Sequence, residues 1–85
     1  MPTFHNWHEI QTVLFALGYR QEISGDQRLI YTNGVDRLIL QKLNKIDVAF
    51  VLILCRQLGI KYVDFLKIYA KEYERQNRRN QLSKP

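Results

Sequence analysis

The sequence predicts an α+β fold: a helix, a three-stranded antiparallel meander and then two helices that back the sheet. Three observations carry this. Trp7, Ile10, Val13, Leu14 and Leu17 recur at helical spacing. Asn33-Gly34 lies between two strand-like runs, the strongest short hairpin signal available. Val48 to Cys55 is an apolar run of eight residues bracketed by Asn44 and Asp47 before it and Gly59 after it.

The first helix is expected over about 7–17. Asn6 and Glu9 have the spacing of a capping box, in which each side chain takes a free backbone N–H of the other, and Gly18 supplies a stop. Tyr19 to Ile23 reads as a strand ended by Ser24-Gly25-Asp26, and Arg28 to Thr32 as a second. A two-residue type I′ turn at Asn33-Gly34 leads into a third strand from Val35 to Lys42 or Leu43.

That turn sets a register with Thr32 opposite Val35, Ile30 opposite Arg37 and Leu29 opposite Leu38. Side chains alternate along a strand, so Leu29, Tyr31, Leu38 and Leu40 share one face and make the core side. Arg28, Ile30, Thr32, Val35, Arg37, Ile39 and Gln41 share the other. This face is half apolar and half cationic, as suits a surface that receives a partner.

The second helix is expected to follow Asn44, with Asp47 in its first turn, and to end at Leu58. Being apolar nearly all round, it requires cover on more than one side: the sheet on one, and the third helix or a second subunit on another. The third helix starts near Lys61 or Tyr62, with Val63, Leu66, Tyr69, Ala70 and Tyr73 as its stripe. Residues 1–73 then form the domain, and 74–85 a basic, disordered tail.

Composition bounds the function. A chain of 85 residues buries only about 60–65% of its unfolded surface, which leaves a thin core and room for a homodimer. The single cysteine, Cys55, excludes an internal disulfide and a cysteine zinc cluster, and fits a reducing cytoplasm. No signal-peptide pattern opens the chain and no apolar run is long enough to span a bilayer, so neither secretion nor a membrane partner is expected. The net charge is +5, of which residues 71–85 hold +3. A basic chain attracts polyanions, nucleic acid first among them.

Few residues suggest catalysis. His5 and His8 are three apart, but no third ligand completes a metal site; both read as surface residues, and no metal or other cofactor is expected. Cys55 has no base in prospect and reads as a small core residue. The carboxylates are scattered, and no glycine loop cradles a phosphate. The cations are better ordered. Arg20, Arg28 and Arg37 lie on the strands, while Lys42 and Lys45 flank the start of the second helix, where free N–H groups favour phosphate. These five are the candidate nucleic-acid-binding residues, and Ile30, Val35 and Ile39 the candidate partner interface.

Gly18-Tyr19, the meander, Arg56-Gln57-Leu58-Gly59-Ile60 and Asp64-Phe65-Leu66 together resemble the HicA (YcfA-like) toxins of bacterial toxin–antitoxin pairs over about residues 7–66. The resemblance implies a double-stranded-RNA-binding-like (dsRBD-like) fold, an mRNA-cleaving activity and an antitoxin partner. It also implies a catalytic histidine in a Gly-Ser-His motif at the start of the second strand. Here that motif falls on Asp26-Gln27-Arg28, so the histidine's place is held by Arg28. An arginine is protonated at any ordinary pH and cannot act as a base, although it binds phosphate bidentately. The expectation is a cytoplasmic RNA-binding domain without the cut. A protein-interaction module using the exposed sheet face or the second helix is the alternative, and a helix-turn-helix DNA binder is a third.

Overall fold

The computed structural model describes residues 4–82, side chains at 24 and 78–82 excepted. Its elements are β1 (Phe4–His5), α1 (Trp7–Ala16), β2 (Arg20–Ser24), β3 (Arg28–Thr32), β4 (Arg37–Gln41), β5 (Ile46–Asp47), α2 (Val48–Leu58) and α3 (Tyr62–Leu82). The fold is the expected α+β order: β2, β3 and β4 form an antiparallel meander, accompanied by three helices. The sequence missed β1 and β5, which pair with each other as a separate two-stranded sheet, Phe4 against Asp47 and His5 against Ile46. Two-residue strands give no periodicity to read.

Asn6 caps α1, its side chain accepting from the Glu9 backbone N–H at 2.9 Å. Only this half of the expected capping box forms, because the Glu9 carboxylate turns to His5 instead. Ile10, Val13 and Leu14 are the buried stripe of α1. They face Leu29, Tyr31 and Leu40 in a core that Tyr19, Ile46, Val51, Leu54, Cys55 and Phe65 complete.

The β3–β4 hairpin departs from its expected register by two residues. Thr32 pairs with Arg37, Ile30 with Ile39 and Leu29 with Leu40. The turn is centred on Gly34-Val35 rather than Asn33-Gly34: Asn33 N–H donates to the Asp36 carbonyl at 3.3 Å. Gly34 has φ 94° and no non-glycine residue among the described residues has positive φ, so a type I′ turn is ruled out. The Asn33 side chain stabilises this arrangement by accepting from Val35 N–H at 2.9 Å and Asp36 N–H at 2.7 Å. A shift of two preserves side-chain parity, so the division into faces holds. Leu29, Tyr31 and Leu40 are buried and Leu38 half-buried, while Arg28, Arg37, Ile39 and Gln41 are exposed.

Asp47 is the N-cap of α2 itself, accepting from Ala49 N–H at 2.7 Å, so the helix begins one residue later than Asp47. Gly59 closes it in the left-handed conformation at φ 73°. A Cβ at Gly59 meets nothing within 4 Å, leaving backbone strain as the sole effect. Gly59→Ala should therefore lower stability by about 1 kcal/mol, read from the urea midpoint at unchanged slope, and Gly59→Asn by less.

The packing of α2 differs from expectation. It lies chiefly against β1, β5 and α3, not the three-stranded sheet. Only Val51, Leu54 and Cys55 are buried, while Phe50, Leu52 and Ile53 remain 46%, 48% and 58% exposed. In α3 the inward stripe is turned from the expected one. Phe65 is buried and Tyr62, Leu66, Ile68 and Tyr69 pack beside it, whereas Val63 and Tyr73 are about half exposed. The helix also continues past Tyr73 to Leu82, lying along α1 and holding Glu72 against Arg75 at 3.5 Å. The rest of the expected tail, residues 83–85, lies outside the described residues. No helix among them is long and apolar enough to cross a membrane.

Candidate nucleic-acid and partner surface

The outward face of the meander consists of three cross-strand rows. Arg28 stands opposite Gln41 at one end, and Ile23, Ile30 and Ile39 form the middle. Arg20, Thr32 and Arg37 form the row nearest the β3–β4 turn. Four residues of strand, about 13 Å, separate the outer two rows. Ile23 reaches this face through a bulge: Gln21 pairs with Tyr31 but Ile23 with Ile30, leaving Glu22 unpaired in the ladder. A regular strand would have placed Arg20 and Ile23 on opposite faces. Alternation alone cannot register an extra residue, so the sequence does not place Ile23 on this face.

The five candidate cations divide between the two ends. At the turn end, Arg20 and Arg37 share a row, but Arg37 is held by Glu22 at 2.8 Å. At the other end, Arg28 stands opposite Gln41 on the outward face, whereas Lys42, whose N–H donates to the Gln27 carbonyl, turns its side chain to the helix side. The Lys42 ammonium lies 5.9 Å from the Trp7 ring centre, a cation–π contact. Lys45 is exposed and lines a groove of about 350 Å³ with Ile39, Leu43, Ile46 and Phe50. Arg20, Arg28 and Lys45 have no ion-pair partner among the described residues. The start of α2 is less open to an anion than the sequence suggested, because the Asp47 carboxylate already takes the Ala49 N–H there.

Of the candidate partner residues, Ile30 is half-buried in the middle row and Ile39 is 63% exposed beside it. Val35 is almost wholly exposed, but at the tip of the turn, not in the row. Phe50 and Leu43 extend the apolar surface of Ile39 towards α2, and neither was singled out from the sequence.

His5 is a second departure. It was read as a surface residue, yet it is 5% exposed. Its Nδ1 lies 2.7 Å from the Glu9 carboxylate and its Nε2 lies 2.7 Å from the Tyr62 hydroxyl. The two ring nitrogens thus engage the Glu9 carboxylate and the Tyr62 hydroxyl. Tyr62 and Phe65 meet the ring edge-on. Burial is the main cause raising the Tyr62 phenol above its ordinary value, with Cys55 and Glu9 adding to it. Both ring nitrogens are used inside the fold, and this cluster clamps β1 to α1 and α3. His8 is exposed and tilted against the Trp7 ring, 3.6 Å between centres. Among the described residues no group of three His, Cys, Asp or Glu side chains could hold a metal. Cys55 is buried, and burial pushes its thiol up, away from the reactive thiolate.

Comparison with protein-family models, with curated proteins and with solved structures gave no match.

Proposed function

We propose that the chain is an RNA-binding domain of the kind its HicA resemblance implies, one that holds RNA without cutting it. The observation that carries this reading is that Arg28 stands opposite Gln41, which lines one groove with Lys45, at the end of the sheet where the chain turns into α2. Arg28 and Lys45 are exposed and have no ion-pair partner among the described residues, so phosphate need not displace one of their carboxylates to reach them. The excess of positive charge over the whole chain supports the same partner class. Arg28 stands where the resemblance expects a general base, and a guanidinium cannot accept the proton that cleavage requires. Phosphate binding is the chemistry left to it.

The reading is tested by titrating the full chain with double- and single-stranded RNA at several salt concentrations, with a DNA duplex as competitor. Arg28→Glu combined with Lys45→Glu should weaken RNA binding by at least about tenfold and flatten the salt slope by about one unit per lost phosphate contact. Lys67→Ala, on α3, should change little. An unaffected double variant, absence of an RNA shift at low salt, or cleaved RNA after incubation with the wild type would each refute it.

A protein-docking role is favoured by a different observation, the isoleucine row that Ile39, Leu43 and Phe50 continue towards the outer face of α2. The two roles use adjoining parts of the surface and do not exclude one another.

A further inference from the structure

The two edges of the meander are built differently. The outer edge of β2 is interrupted by the Glu22 bulge and carries Arg20 and Glu22, features that blunt a strand against pairing. β4 is regular over all five residues, Arg37-Leu38-Ile39-Leu40-Gln41, with no bulge or proline. Among the described residues no strand pairs with its second edge.

The hairpin bonds fix which backbone groups of β4 that edge presents. Asn33 N–H bonds to the Asp36 carbonyl and Lys42 N–H to the Gln27 carbonyl, so residues 36, 38, 40 and 42 turn their polar groups towards β3. Residues 37, 39 and 41 therefore turn theirs to the open side. The Gln41 carbonyl accepts from Leu43 N–H at 2.8 Å and keeps a second lone pair.

From this we infer that β4 is a dimerisation strand, pairing antiparallel with the β4 of a second copy about a two-fold axis at Ile39. The strand is self-complementary in that register. Ile39 faces Ile39 of the second copy, both offering N–H and C=O across the axis. Each Arg37 faces a Gln41, never the other arginine, and Leu38 faces Leu40. A shift that sets Arg37 against Arg37 both opposes like charges and loses most of the ladder. Pairing joins the two meanders into one six-stranded sheet and covers the Ile39 side of the groove that Leu43 and Phe50 line.

Ile39→Pro is the discriminating variant. Its missing N–H is one that β3 does not use, so the monomer fold keeps its ladder. Sedimentation equilibrium of the full chain should give twice the 10.2 kDa chain mass at high concentration, and Ile39→Pro, with an unchanged circular dichroism spectrum, should weaken association by at least about tenfold. Ile39→Cys should form a disulfide-linked dimer under mild oxidation, whereas Ile23→Cys, on the same face beside the bulged edge, should not. A strict monomer at all concentrations, which would leave the edge to a foreign strand, overturns the inference. So does a dimer indifferent to Ile39→Pro, or one cross-linked equally well through Ile23→Cys.

Discussion

Tyr31→Ala should destabilise the protein by about 3–5 kcal/mol, a large part of the roughly 5–10 kcal/mol available to a chain of this length. The ring is fully buried on the inner face of β3, meets Phe15 edge-on, and donates its hydroxyl to Gln11 on α1. Truncation removes the side chain that holds the sheet to the first helix. Tyr31→Phe removes only the hydroxyl and should cost about 1 kcal/mol. A thermal or urea melt of both variants decides this; near-equal losses would mean that the hydrogen bond, not the packing, dominates.

The same residue predicts a response to alkali. Burial pushes the Tyr31 phenol up from 10.0 to about 12. An acid whose pKa is raised by folding contributes stability that is complete below the unfolded value and lost as pH rises through the folded one. The window is therefore about pH 10 to 12. Wild type should lose more stability than Tyr31→Phe between about pH 8 and about pH 11. Tyr19, Tyr62 and Tyr69 are raised in the same direction, chiefly by burial, and the variant keeps that part of the loss. An identical decline in both proteins would remove Tyr31 from the account.

His5→Ala is the second large effect, expected at about 2–4 kcal/mol. It opens a space between Tyr62 and Phe65 and strips partners from the Tyr62 hydroxyl and the Glu9 carboxylate. Tyr62→Phe should cost less alone, and the double variant should cost less than the two singles together, by about 0.5–3 kcal/mol of coupling. Strict additivity would show that the clamp does not act as a unit.

The strand and helix order was legible because alternation and helical spacing are local signals. The division of the meander into faces survived a misplaced turn, since sliding a hairpin by two residues keeps every side chain on its side. The turn itself was misread because Asn33 stands before the bend, its backbone N–H closing on the Asp36 carbonyl and its side chain holding Val35 and Asp36. Phe65 was passed over for Val63 and Tyr73, as nothing in the sequence of a helix with apolar residues on several faces fixes how it is rolled against its neighbours. The placing of the candidate cations was not legible: the β3–β4 ladder sets Arg28 on the outward face and turns Lys42 to the helix side over Trp7. His5 was read as exposed because its partner Tyr62 lies far along the chain, beyond the reach of any local pattern.

The β1–β5 pair and the His5 clamp join the first described residues to segments that the chain reaches only after the whole meander. The β2–β3–β4 turns are local and close at little entropic expense, whereas this closure spans about half to two-thirds of the chain. Folding should nucleate in the meander with α1 and fasten the amino-terminal strap last. His5→Ala should then accelerate unfolding and leave the refolding rate nearly untouched, while Leu29→Ala, in β3, should slow refolding. In stopped-flow measurements a refolding rate that falls as much for His5→Ala as for Leu29→Ala would place the strap in the nucleus instead.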